Sequence, residues 1–266
     1  MAKWTTIIGA PAILLAIAAG PCGRQAPRPG SASTQELVLD LGNKIRMKLL
    51  LIPPGEFVMG SPEDEKGRSD DEGPQHEVTI TNPFYMGIYE VTQEQYQQIM
   101  GTNPSDHKGP RNPVEGVLWC EAIEFCQKLS QKVGKTVRLP AEAEWEYACR
   151  AGSRTPFNTG QTIGWHQANV EAPPWGKTKR VGSFKPNGWG LYDMHGNAWE
   201  WCADRYGRYA DAKVVNPKGA SSGNGRVARG GYYGALLQHC RSASRAPTDP
   251  NFRLISIGFR VVVDLK

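Results

Sequence analysis

The residues best equipped for chemistry in this 266-residue chain are its cysteines and the polar groups spaced around them. Five of the six cysteines fall in the second half or close to it: Cys120, Cys126, Cys149, Cys202 and Cys240. Five is odd, so at least one is free or pairs outside this set. Cys120 and Cys126 lie six apart on one predicted helix and read as buried thiols that do not bond to each other. Cys240 follows His239 and precedes Arg241-Ser242-Ala243. A lone loop histidine beside a cysteine reads first as ordinary structure, and the chain holds only five histidines.

The N-terminus sets the compartment in which those thiols are read. Lys3 is followed by an uncharged apolar run, Thr5 to Ala19, and Ala16-Ile17-Ala18 gives the small-x-small pattern of a cleavage site. Residues 1–22 are therefore expected to be a signal peptide, too short for a membrane span of about 20 apolar residues. Cys22 offers a second route, lipid attachment and a membrane tether through the N-terminus, against which Pro21 stands. Residues 23–34 form a Pro-rich polar linker with nothing to bury. The expectation is export to the periplasm or cell surface, where disulfides persist.

The elements that must position the chemistry lie in residues 35–266. Val38–Leu41 and Ile45–Ile52 read as strands joined at Gly42-Asn43. Shorter strands are expected at Glu56–Met59, Glu77–Thr81 and Phe84–Tyr89, with a surface loop over Glu63–Pro74. Thr92 with Gln95 predicts a capping box and a helix to Met100. Val117–Val133 has a helical period and stops at Gly134. Pro140–Arg150 is a third helix, with Trp145 and Ala148 on one side and Glu142 and Glu146 on the other. After residue 153 regular structure thins until a closing strand, Gly258–Val263. With 30 Gly, 20 Pro and 8 Trp, this region is expected to be packed irregular chain. The +5 charge is interspersed. Lys177-Thr178-Lys179-Arg180 is a solvated loop, so no nucleic-acid partner is expected.

Several segments together carry a resemblance. They include Pro54–Ser61, Tyr89-Glu90-Val91-Thr92, Asn112-Pro113-Val114, Arg138–Ala148, Pro186–Trp201, Arg229-Gly230-Gly231 and Gly258-Phe259-Arg260. In order and spacing the chain resembles the formylglycine-generating-enzyme (sulfatase-modifying-factor) family. The resemblance implies a single α+β domain related to the C-type-lectin fold, with sparse secondary structure. The family includes copper-dependent oxidases, iron-dependent sulfoxide synthases, accessory proteins and retroelement-diversified binding proteins, so fold alone does not give function.

Copper(I) wants thiolates, and the oxidases supply two of them shortly after the Gly-Gly. Here the first position is Ala235, a serine position is Tyr232, and only Cys240 remains. Copper is therefore not expected, and Cys240 and Trp199 are the sole candidates for a catalytic role. The sulfoxide-synthase histidine motif is absent from the sequence. By resemblance Cys149 sits where the family often bonds to this C-terminal region; Cys149–Cys240 is the favoured disulfide and Cys202 the rival partner of Cys240. The resemblance also implies calcium, bound through Asp193 and Glu200 side chains and the Gly196 and Ala198 carbonyls. Calcium takes hard oxygen ligands of this kind. A second family site, beginning at Asn169-Val170, lacks its acidic segment. The resemblance to the retroelement-diversified relatives implies a frame of Arg229-Gly230-Gly231, Cys240-Arg241-Ser242-Ala243, Arg245 and Gly258-Phe259-Arg260. Between these frame residues, Tyr232, Tyr233, Leu236, His239 and Phe252 suit a binding surface. The expected partner is a protein or small-molecule ligand bound by a monomer. The alternative is an oxidoreductase with a remodelled metal site.

Overall fold

The computed structural model describes Met1, residues 35–173 and residues 176–265. The predicted signal peptide, Cys22 and the linker lie outside the described residues. Chain order is β1 (Glu36–Gly42), β2 (Ile45–Ile52), β3 (Gly55–Met59), β4 (His76–Ile80), β5 (Phe84–Gly87), α1 (Gln93–Met100), α2 (Trp119–Val133), β6 (Val137–Arg138) and α3 (Glu142–Arg150). There follow β7 (Trp199–Arg205), β8 (Val214–Val215), β9 (Arg226–Arg229), β10 (Arg245–Thr248), β11 (Ile257–Gly258) and β12 (Val262–Asp264).

The strands form three sheets, ordered β1-β2-β5-β12-β6, β10-β9-β7-β11 and β3-β4-β8. The β1–β2 hairpin turns over Asn43 and Lys44, both at positive φ (52° and 64°), the backbone that a tight right-twisted hairpin requires. Helix α1 has the predicted capping box: Thr92 accepts from the Gln95 amide, and Gln95 accepts from the Thr92 amide at 2.9 Å. Helices α1 and α2 pack on the first sheet. Tyr96 stacks on Phe125 at 5.7 Å, and Phe259 meets Phe125 edge-on at 5.2 Å. A second core gathers Trp145, Phe84, Met86 and Leu191. A third, smaller one holds Phe157, Ile163, Val170, Ala235 and Cys240.

Four expectations change. Helix α3 starts at Glu142 with Ala141 as N-cap, so Pro140 precedes the helix rather than standing in its first turn. Helix α2 starts at Trp119 rather than Val117, because Leu118 serves as N-cap and donates its amide to Glu121 at 2.9 Å. The closing strand is two short strands in two sheets, β11 beside β7 and β12 beside β5; Phe259, Arg260 and Val261 cross between them, buried. The Glu63–Pro74 loop is not all surface, since Glu72 is 1% exposed and pairs with Arg241. From 151 to 198 the described residues form no helix or strand, as the sequence suggests.

Candidate functional site

The chemistry-bearing residues converge on the irregular chain between α3 and β7 and on the loop after β9. Helix α3 brings its supposedly solvent-facing carboxylates inward, so Glu142 and Glu146 are 3% and 0% exposed. Burying a carboxylate demands a paired charge. Arg229 donates to Glu146 at 2.8 Å and to Glu142 at 3.1 Å, Arg245 donates to Glu142 at 2.6 Å, and Arg150 donates to Glu146 at 2.9 Å. Burial pushes both carboxyls up, but the guanidinium charges outweigh it and hold them below the usual carboxylate range. Arg229 also donates to the Ser242 and Ser244 carbonyls, which ties the start of the loop after β9 to its end.

Inside that loop, Ala235 is 4% exposed and packs in the small apolar core. Cys240 is fully buried, and burial pushes its thiol up to about 12. A side chain at Gly231 would place its Cβ 2.3 Å from Cys240 Sγ, and φ there is +78°, so glycine is required. Of the predicted binding surface, Leu236 and Phe252 are 57% and 64% exposed, His239 is exposed and Tyr232 is half-buried. Tyr233 is not available: it is buried, edge-on to His107 at 5.3 Å and to Tyr232 at 5.2 Å. Trp199 is half-buried at the start of β7 and packs against the first core.

The expected Cys149–Cys240 disulfide is not formed, and Cys202 pairs with neither; all three are free thiols. Cys126 is buried as expected, whereas Cys120, on the outward side of α2, is exposed. The reason is local. Cys149 Sγ faces Ser242 Oγ at 3.6 Å, so the place opposite Cys149 belongs to a serine. His195 intervenes, with Nε2 3.8 Å from Cys149 Sγ and Nδ1 2.7 Å from the Cys240 carbonyl. A carbonyl only accepts, so Nδ1 carries the proton, and Nε2 then accepts from the Asn158 amide at 3.1 Å. Burial lowers the His195 pKa to about 4, leaving the ring neutral.

The segment Asp193–Ala198 is a tight loop with positive φ at Asp193, Gly196 and Asn197, and it leads into β7, where Glu200 stands. The two carboxylates differ. Glu200 is already saturated: Arg260 donates to both its oxygens at 2.6 Å, and Trp145 Nε1 donates at 2.7 Å. Asp193 accepts from the Gly182 amide at 2.6 Å and lines a cavity of about 300 Å³ with Asn158, His166, Gln167, Lys185 and His195. Beside it stands Glu90, which is 1% exposed. Sequence reasoning gave Glu90 no role, because nothing local marks it as a partner of Asp193. The Asn169 amide donates to the Lys177 carbonyl and to Asn197 Oδ1, both at 3.0 Å. The start of the second family calcium site is thus bound to protein groups.

Against this geometry, the family model of the sulfatase-modifying factor enzyme 1-like domain matches residues 43–265. The chain belongs to that family. The formylglycine-generating enzyme of Bos taurus is 31% identical, over 82% of this chain and 75% of that protein. Among solved structures, PvdO from Pseudomonas aeruginosa has a TM-score of 0.77 and 33% identity, covering 86% of this chain and 98% of that one. Treponema denticola variable protein 1 has a TM-score of 0.79 and 27% identity, covering 86% and 99%. The C-type-lectin-like sulfatase-modifying-factor fold, a single α+β domain, is therefore this chain's fold. Among its described residues no helix is long and apolar enough to cross a membrane.

Proposed function

We propose that this chain is an exported accessory domain of the sulfatase-modifying-factor family that works by binding and has no copper-dependent thiol-oxidase activity. One observation carries the reading. The loop that would present two thiolates presents the Ala235 methyl group and a single thiol, Cys240, sealed in an apolar core with its proton held on. A soft copper site needs accessible thiolates, and a buried thiol near 12 stays protonated at neutral pH.

The rim of the same loop supports binding. Leu236 precedes and His239 stands on a short turn, Leu237–Cys240, and Phe252 lies on a second loop held to α2 by Arg253–Glu121 at 2.7 Å. Exposed apolar side chains on anchored loops suit recognition of a protein or small-molecule ligand. Export rests on the pattern of residues 1–22.

The test is mass spectrometry of a Cys-x-Pro-x-Arg peptide incubated with the purified protein, copper and oxygen. No aldehyde product is expected from folded protein. Clean conversion of the cysteine to the aldehyde overturns the reading.

A further inference from the structure

A second cavity, of about 380 Å³, lies where the third sheet meets the end of β7 and the N-terminus of α3. Its walls include none of Leu236, His239 and Phe252, so it is separate from the exposed loop rim. The volume is of small-molecule size, for which pockets run roughly 300–1,000 Å³. Much of the wall is apolar, from Met59, Ala143, Val214, Ala220 and Tyr209.

Two acceptors in this cavity lack donors. Asp204 is 4% exposed; its Oδ2 accepts from the Glu142 amide at 2.8 Å, and its Oδ1 accepts from no group among the described residues. His76 is 8% exposed, and its Nδ1 lies 3.0 Å from the Pro74 carbonyl. A carbonyl only accepts, so Nδ1 carries the proton and Nε2 is left as an acceptor, with no donor among the described residues. Tyr209 packs on the His76 ring at 4.9 Å but cannot serve either acceptor, because its one hydroxyl proton goes to Glu142 Oε1 at 3.1 Å. The charged groups that face Asp204 are Glu142 and Glu144 on α3, Arg226 and Arg229 on β9, Arg245 on β10, His76 on β4, and Arg208 and Lys218 at the rim. None of the cations donates to it. Arg245 serves Glu142 and the Asp71 and Gly207 carbonyls, Arg229 serves Glu142, Glu146 and two carbonyls, and Arg226 serves the Ala203 carbonyl. Arg208 and Lys218 are exposed. Gly219 lies against the Asp204 carboxyl at φ +73°, so the wall beside it carries no side chain that could donate.

Buried polar groups are almost always paired, and two acceptors in one cavity call for a ligand rich in donors. Positive charge on that ligand is favoured as well. Burial, then the Glu142 charge, pushes the Asp204 carboxyl up to about 7, and a cation beside Oδ1 would offset both effects. We propose that this cavity binds a small primary amine whose ammonium head donates to Asp204 Oδ1, with His76 Nε2 as a second acceptor and the aliphatic body against the apolar wall. An acidic group at the outer end of such a ligand meets Arg208 and Lys218, so aminocarboxylates are the preferred members of the class.

The experiment is calorimetry and saturation-transfer NMR of the full chain with three probes: hexylamine, 6-aminohexanoate and 1-hexanol. Both amines are expected to bind at one site per chain, and hexanol at least about tenfold more weakly, the share of a charge-assisted hydrogen bond. Amine binding should tighten about tenfold from pH 6 to pH 8, because the free cavity holds Asp204 ionised only above about 7. Asp204→Asn should weaken both amines about tenfold or more and flatten that pH dependence. Lys218→Glu is the second variant, at an exposed position that leaves the fold intact. It should weaken 6-aminohexanoate and strengthen hexylamine. Folded wild type that binds neither amine at millimolar concentration overturns the proposal. Hexanol binding as tightly as hexylamine overturns the assignment of a cationic head. Amine affinities unmoved by both substitutions overturn the site.

Discussion

Replacing Arg229 with leucine tests the idea that buried ion pairs, rather than regular structure, hold the second half of this domain. Arg229 is fully buried, reaches Glu142 and Glu146, and donates to the Ser242 and Ser244 carbonyls. The substitution leaves two buried carbonyls and part of two carboxylates without donors. Breaking one partner of a buried pair costs about 3–5 kcal/mol, a large share of the roughly 5–15 kcal/mol a domain possesses. For a domain of this size that is a fall in Tm of about 10 °C. Urea and thermal unfolding followed by tryptophan fluorescence measure it. Lys213→Ala is the control, since its partners Glu56 and Glu77 are well exposed; the midpoint should not move. A loss below about 1 kcal/mol for Arg229→Leu would refute the reasoning, because it would mean the surrounding charges rearrange without cost.

Asp204 predicts a pH dependence. Burial, then the Glu142 charge, raises its carboxyl from 3.8 to about 7. The folded state therefore binds a proton that the unfolded state has lost, so this group's contribution is full below pH 3.8 and fades as pH rises to about 7. Asp204→Asn should remove up to about 1.4 kcal/mol per pH unit of slope from denaturation curves in that window; an unchanged slope defeats the assignment. In a Cys22→Ser background, the exposed Cys120 alone should react with a thiol reagent under native conditions, and Cys126, Cys149, Cys202 and Cys240 only after unfolding; rapid native labelling of Cys240 would count against the loss of copper chemistry. Ser242→Cys should form a disulfide with Cys149 under mild oxidation, read by intact mass and a non-reducing digest; persistent free thiols would show that the 3.6 Å contact lacks disulfide geometry. Leu236→Ala and His239→Ala should each change stability by no more than about 0.5 kcal/mol, as exposed positions do; a larger loss in chemical denaturation would mark them as structural rather than as binding surface.

What the sequence made legible is what is encoded locally. The Thr92–Gln95 capping box, the Gly134 stop of α2 and the β1–β2 hairpin depend on residues a few positions apart; the box and the stop stand where the pattern places them, and the hairpin turns one residue later than Gly42-Asn43, over Asn43 and Lys44. Charge on a helix face is different. Glu142 and Glu146 look like a solvated face until Arg229 and Arg245 arrive from far along the chain. Strand β7 escaped notice because Trp201, Cys202 and Asp204 are all buried and give no alternation. The thiol loop was legible as a loss, from Ala235 alone. Its closure was not: the family resemblance implies Cys149 as the partner of Cys240, with Cys202 as rival, whereas the backbone turns Ser242 toward Cys149 and sets His195 between Cys149 and Cys240.

The retained frame around the exposed loops has a physical reason. Arg229, Arg241, Arg245 and Arg260 each send a buried guanidinium to a carboxylate from another part of the chain: Glu146, Glu72, Glu142 and Glu200. Each also donates to a backbone carbonyl, those of Ser242, Gly67, Asp71 and Gly87 in turn. In chain with few ladders, that is how the buried carbonyls are satisfied. Because the anchors stand at the bases of the loops, the exposed residues between them contribute little to the fold. Leu236, His239 and Phe252 are free to differ without unfolding the domain, whereas the arginines are not. A scaffold so arranged can lose the thiolates of an oxidase and keep a surface for recognition. The same arrangement fixes Glu200 to Arg260, at the base of the closing strands.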